Sequence, residues 1–161
     1  MKKIVILGAL WLASTSAFSD TGIGVSFQSN DGRILVPYDV SESFRIEPSF
    51  RYYSVDNSDS YDYENYELGL GLFHRKETIP NMSFLLGARV GYINSTQGYG
   101  DSSEISYDGY FLAPALGLEY FVGDKFSVGG EISLRYESID SESYDSTSTY
   151  TDSAFIARFY F

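Results

Sequence analysis

From residue 20 onward, large apolar residues recur at every second position and alternate with polar, charged or very small ones. That period of two is the signature of β-strands with two unlike faces. In residues 153–161, Phe155, Ala157, Phe159 and Phe161 share one face and Arg158 lies on the other. In 126–137, Phe126, Val128, Gly130, Ile132, Leu134 and Tyr136 oppose Ser127, Gly129, Glu131, Ser133, Arg135 and Glu137. In 84–93, Phe84, Leu86, Ala88, Val90 and Tyr92 oppose Leu85, Gly87, Arg89 and Gly91. In 110–122, Tyr110, Leu112, Pro114, Leu116, Leu118 and Tyr120 oppose Ala113, Ala115, Gly117 and Glu119. In 66–72, Tyr66, Leu68, Leu70 and Leu72 oppose Glu67, Gly69 and Gly71, and in 44–54, Phe44, Ile46, Phe50 and Tyr52 oppose Arg45, Glu47, Ser49 and Arg51. Two shorter runs precede these: Ile23, Val25, Phe27, and then Ile34, Val36, Tyr38.

The pattern therefore predicts an all-β chain of eight antiparallel strands. The connections alternate. Residues 40–43, 78–81 and 123–125 are brief; 56–65, 95–108 and 139–152 are long and polar; Asn30-Asp31-Gly32 marks a tight hairpin. Short turns on one rim and longer loops on the other suit an up-and-down transmembrane barrel. Pro48 and Pro114 lie within strands and remove a ladder donor, so each predicts a bulge or a local break.

Residues 1–19 do not share the pattern. Lys2 and Lys3, an apolar run over 4–12 and small or polar residues over 13–17 read as a secretory signal, cut after Ser19 or after Ala17. The domain reading is thus a signal over 1–19 and one barrel over 20–161. Composition narrows the function. With 11 Lys+Arg against 22 Asp+Glu, the chain is too acidic for a nucleic-acid binder. The absence of cysteine excludes disulfides, thiolate metal sites and a Cys nucleophile. The charge and Cys/His content supply no metal or cofactor motif.

Periodicity alone does not say which face is outside. Three facts choose an apolar exterior. One face of nearly every strand is apolar while the other combines charge and glycine. Outward aromatics bracket the strands: Phe44 and Tyr52, Phe84 and Tyr92, Tyr110 and Tyr120, Phe126 and Tyr136. At ~3.3 Å per residue and a tilt of ~40°, those intervals span about 20–25 Å, the height of an apolar band between aromatic girdles. Finally, the chain ends on Phe161 with Phe159 and Phe155 in phase.

A signal peptide, alternating strands and a terminal in-phase Phe resemble the small eight-stranded outer-membrane proteins, the group of the OmpA transmembrane domain and OmpX. The resemblance covers residues 20–161. It implies a bacterial outer-membrane location, contact with outer-membrane lipid and lipopolysaccharide, and delivery by periplasmic chaperones to the barrel-assembly machinery. In that group the terminal aromatic is part of the assembly signal, and Phe155, Phe159 and Phe161 match it.

The inner face then carries Arg45, Arg51, Arg89, Arg135 and Arg158 against Glu47, Glu67, Glu119, Glu131 and Glu137. Buried charges require partners. An eight-stranded barrel is barely wider than its own side chains, so this network is expected to plug the interior. Arg51 is expected beside Glu67, and Glu131 beside Arg158. Gly69, Gly71, Gly87, Gly91, Gly117 and Gly129 are expected to make room for the arginine arms. The alternative is that the same network gates a small porin-like channel for ions or small solutes.

The long connections hold Asp56, Asp59, Asp62, Glu64, Asp101, Glu104, Asp108, Asp140, Glu142, Asp145 and Asp152, with Tyr61, Tyr63, Tyr99, Tyr107, Tyr144 and Tyr150 and no Lys or Arg. They read as a hydrated rim, linked to lipopolysaccharide through divalent cations, or as a Tyr/Ser-rich surface for adhesion to a ligand. His74 is the only histidine. Some members of the group are lipid-modifying enzymes that use a histidine, but the topology puts His74 on the periplasmic rim, the wrong side for that chemistry. The reading is a monomeric, non-enzymatic barrel.

Overall fold

The structure is a computed structural model; it describes residues 21–28, 31–57, 61–98, 104–141 and 144–161. Within these residues lie nine strand segments: β1 (Gly22–Gln28), β2 (Asp31–Leu35), β3 (Tyr38–Ser41), β4 (Phe44–Asn57), β5 (Tyr61–Ile79), β6 (Met82–Gly98), β7 (Glu104–Phe121), β8 (Phe126–Ser141) and β9 (Tyr144–Tyr160). The signal reading of residues 1–19 falls outside the described residues.

Apart from β2 and β3, consecutive strands pair antiparallel, β9 returns to β1, and β2 also pairs β4, so the sheet closes on itself. β2 and β3 are two halves of one stave. Leu35 faces Ser49 and Tyr38 faces Ile46 in a single register on β4, which makes the barrel eight-stranded. The break between the halves, at Val36 and Pro37, lies opposite Pro48. Pro48 has no N–H to give, so its carbonyl alone is used, accepting from the Val36 N–H at 2.9 Å. Pro37 in turn accepts from the Gly22 N–H at 3.0 Å. At Pro114 the β7–β8 ladder pauses between Leu112–Tyr136 and Ala115–Ser133 and resumes in the same register. Both prolines therefore interrupt a ladder without inserting a bulge. The tight β5–β6 turn uses Asn81 at φ 66°, a left-handed position that Asn tolerates.

The faces are inverted relative to a soluble barrel. Leu68, Leu116 and Leu134 are 53%, 50% and 53% exposed, while Arg45, Glu47, Glu67 and Glu119 are completely buried. The outer belt also includes Ile23, Val25, Phe50, Leu70, Leu86, Leu112, Leu118 and Ile132. Phe44, Phe84, Tyr120 and Phe126 sit at the short-turn end of this belt; Tyr52, Tyr92, Tyr110 and Tyr136 sit at the other. Tyr92 and Tyr110 face each other across strands, their ring centroids 5.7 Å apart.

The long polar connections are corrected by the structure: they are mostly strand. β4 and β5 stay paired out to Asn57–Tyr61, β6 and β7 to Gly98–Glu104, and β8 and β9 to Ser141–Tyr144. These segments are polar because their outer face meets water and their inner face, buried at its root by Asn65 and Ser95, opens to half-exposure at Tyr63, Gln97 and Tyr107, and Ser, Thr and Tyr are compatible with that. At ~3.3 Å per residue and ~40° tilt, β5 rises roughly 45–50 Å, so about 20 Å of it projects beyond a ~25 Å belt. The β1–β2 hairpin is the exception. Its last pair is Gln28–Asp31.

Candidate functional site

Two features concentrate chemistry: the interior and the projecting sheet. All ten charged residues singled out in the sequence point inward. Strand alternation puts them there: on each strand they occupy the phase opposite the exposed apolar residues. They fall into two groups.

Towards the short turns, Asp39 accepts from Arg45 (Nε to Oδ1, 2.6 Å) and from Arg75 (Nη1 to Oδ2, 2.8 Å). Arg45 also donates through Nη1 to Glu119 at 3.0 Å. Glu119 further accepts from Arg158 at 3.3 Å, the Ser127 hydroxyl at 2.7 Å and the Tyr160 phenol at 2.6 Å. Arg158 continues the chain to Glu47, its Nε 2.7 Å away. Glu47 accepts from Arg89 at 2.6 Å, and Arg89 grips Glu131 with two bonds of 2.7 and 2.8 Å. Four arginines thus meet four acids.

Nearer the projecting end, Glu67 is ringed by Arg33 at 2.8 Å, Arg51 at 3.1 Å and Arg135 at 2.7 Å. Arg135 also donates to Glu137 at 2.8 Å, which accepts from the Tyr150 phenol at 3.0 Å. The guanidinium groups lie on rings as well: Arg135 is 3.8 Å from the centroid of Phe111, Arg89 4.9 Å from Phe73, and Arg45 5.5 Å from Tyr160. Stacking shields the cations and fills the bore. Arginine engages every carboxylate in these groups, so none is poised as a general base.

Two expectations are corrected. Glu131 does not reach Arg158. It stands opposite Ala154 while Arg158 stands opposite Ser127, and each finds its partners across the bore instead. Of the inner glycines singled out in the sequence, only Gly71 lies against an arginine arm; Gly71, Gly87 and Gly91 lie against phenylalanine rings, Gly69 against Ser49, and Gly117 and Gly129 against the neighbouring backbone. A Cβ on Gly91 would strike the Phe111 ring, and one on Gly71 would meet both Phe73 (2.6 Å) and Arg89 (2.9 Å). Apolar clusters of Phe73, Leu85 and Ala115, and of Ile93, Phe111 and Ala113, share the interior with the ions.

The sequence reading missed Arg33, Asp39, Arg75 and Tyr160. The signal was present. Arg33 and Asp39 share the phase opposite Ile34, Val36 and Tyr38; Arg75 continues the Glu67-Gly69-Gly71 phase; Tyr160 continues that of Arg158. Phe155, Phe159 and Phe161 face outward, with the rings of Phe159 and Phe161 5.9 Å apart. His74 is exposed on the outer face near the short turns, opposite Phe44 and Leu86.

The projecting sheet is acidic and rich in hydroxyls. Asp108 accepts from the Asn94 amide at 2.7 Å and from the Tyr92 phenol. The phenol, and secondarily the amide, hold the exposed Asp108 carboxyl below the usual range. The Gln28 amide donates to Asp152, tying the short first hairpin to β9. Like charges also stand opposite one another: Asp140 faces Asp108 on one side and Asp145 on the other. Such pairs are destabilising on their own.

No family model matches the chain, and no curated protein does. Solved structures do. The chain is similar to Neisserial surface protein A, with 18% identity, a TM-score of 0.61, and 89% of this chain and 94% of that one covered. A major outer membrane protein from Thermus thermophilus matches at 11% identity and a TM-score of 0.59, covering 89% of this chain and 99% of that one. Ail, the attachment invasion locus protein of Yersinia pestis, crystallised with the heparin analogue sucrose octasulfate, matches at 11% identity and a TM-score of 0.52, covering 88% and 94%. At these identities the likeness establishes the fold, that of small eight-stranded outer-membrane barrels.

Proposed function

We propose that this chain is a non-enzymatic bacterial outer-membrane barrel whose bore is closed by its own ion pairs and whose projecting hairpins form a surface-binding platform. The observation that carries the reading is the inversion of its faces. An aliphatic belt bounded by aromatics meets lipid tails, and the ionic side chains meet one another inside. The interlocked arginines and acids favour a plug, because opening a path would leave buried charges unpaired. The acidic, Tyr- and Ser-rich hairpins, held up by continuous ladders, supply adaptable contacts at low entropic cost. One of the structural neighbours is named for attachment and invasion.

The chain has no native cysteine, which makes sidedness directly measurable. With Asp145→Cys and Glu77→Cys expressed separately in a Gram-negative host, a membrane-impermeant maleimide should label the first in intact cells. It should label the second only after the outer membrane is permeabilised. The reverse pattern would overturn the proposed orientation.

A further inference from the structure

The interior arginines use one edge, Nε with Nη2, as a fork. Arg45 grips Asp39 with it at 2.6 and 3.0 Å, Arg89 grips Glu131 at 2.7 and 2.8 Å, and Arg158 grips Glu47 at 2.7 and 3.1 Å. Arg135 divides its fork between Glu137 at 2.8 Å and Glu67 at 2.7 Å. Arg33 departs from the pattern. It is only 5% exposed, yet neither its Nε nor its Nη2 has a hydrogen-bond acceptor among the described residues. Its Nη2 lies 2.8 Å from Glu67 Oε1 but out of line, so that oxygen also lacks a hydrogen bond. A buried donor without an acceptor is costly, and here two stand side by side on one cation.

The fork lies near the outer mouth of the bore. Arg33 is two residues below Asp31, whose pairing with Gln28 is the last of the short β1–β2 hairpin. Arg51 faces Arg33 on β4. The side chains of Arg51 and Glu137 are 19% and 15% exposed, so solvent reaches this group from the mouth. Two residues above Arg51, in the same inner phase, Tyr53 is exposed, and its ring centroid is 6.1 Å from that of Tyr63.

Charge and shape select the ligand. In this group the guanidinium groups of Arg33, Arg51 and Arg135 share two carboxylates, Glu67 and Glu137, whereas the deeper group matches four to four. Asp152, also in the inner phase, is engaged by the Gln28 amide instead. One further monoanion therefore balances the group. A water molecule offers a single oxygen to a fork with two parallel donors. A planar carboxylate offers two, and it is what the forks of Arg45, Arg89 and Arg158 already hold. We propose that the outer mouth of the bore binds a small monocarboxylate, its carboxylate gripped by Nε and Nη2 of Arg33 and its body turned towards Tyr53 and Tyr63. This goes beyond the proposed function, because it assigns a ligand to the mouth of the bore rather than to the hairpins.

The test uses the full chain in lipid nanodiscs, with 4-fluorobenzoate as the probe and 4-fluorobenzamide as its uncharged control. The Arg33 Nε–H resonance, identified by its loss in Arg33→Lys and in Arg33→Gln, should shift saturably with the acid and not with the amide. That readout is taken on the unmutated protein and does not depend on how a variant binds. Arg33→Lys keeps the charge and removes the fork, so fluorine NMR should show binding of the acid weakened roughly tenfold or more. Glu64→Gln, on the outer face, should leave binding unchanged. Equal shifts with the acid, the amide and chloride, no saturable shift because Arg33 turns its fork onto Glu67, or undiminished binding by Arg33→Lys would overturn the proposal. Nanodiscs open both mouths to the probe, so none of these outcomes bears on the orientation that maleimide labelling tests.

Discussion

Glu47 shows what one buried charge does here. It is completely buried and holds both Arg89 and Arg158, which themselves tie in Glu131 and Glu119. Glu47→Gln keeps the shape and removes the charge, leaving two desolvated guanidinium groups short of a counter-ion. The expected loss is about 3–5 kcal/mol of folding stability, the cost of breaking a buried pair from one side. Urea unfolding in lipid vesicles measures it. Glu64→Gln, at an exposed site where the carboxylate accepts from Tyr52 at 3.4 Å, should stay within about 0.5 kcal/mol. At this scale the sequence was informative about direction and poor on partners. Phase alone sends Arg45, Glu47, Glu119 and Arg158 inward. Which acid meets which base depends on strand stagger and on reach across the bore. Stagger puts Glu131 and Arg158 four residues apart along the β8–β9 ladder, and Arg89, two strands away from Glu131, reaches it instead.

The strands proved longer than the apolar alternation suggests, for a physical reason. Within the belt one face is apolar and the other charged or small, so the contrast between faces is large and Phe84–Tyr92 or Tyr110–Tyr120 are legible at once. Beyond it the outer face meets water and the inner face opens to half-exposure, the contrast disappears, and residues 139–152 look like a loop although β8 and β9 pair throughout the described part. The closed ring and the projecting sheet should then be separable. Removing residues 138–147 and joining Glu137 to Ser148 through Asn-Gly shortens the β8–β9 hairpin at a directly facing pair, and a two-residue turn suits that geometry. Every β1–β9 pair and every interior ion pair described above is retained. The shortened protein is expected to refold into vesicles with stability within about 1 kcal/mol of the parent, since projecting strands open locally rather than with the ring. Any surface binding that uses the β8–β9 hairpin should be lost.

Across the whole molecule, the sorting of residues by face replaces the usual core. A soluble barrel of this sequence would have to hide Leu68, Leu116 and Leu134 and hydrate Arg45, Glu47 and Glu119; the structure does the opposite. That choice makes the cost of an outward charge depend on depth. Leu116 lies mid-belt, flanked by Leu86 on β6 and Ile132 on β8, whereas Tyr120, on the same face of the same strand, lies at the short-turn girdle. Leu116→Arg should cost about 2–4 kcal/mol in reversible unfolding from a bilayer, and Tyr120→Arg only about 0–1 kcal/mol, because a guanidinium near the interface reaches water and headgroups. Neither residue touches the interior network, so the gradient reports the surroundings of the outer face alone. If the two variants cost the same small amount, the belt is not in hydrocarbon. The interior ion pairs would then have to be explained as the core of a barrel that never enters a membrane.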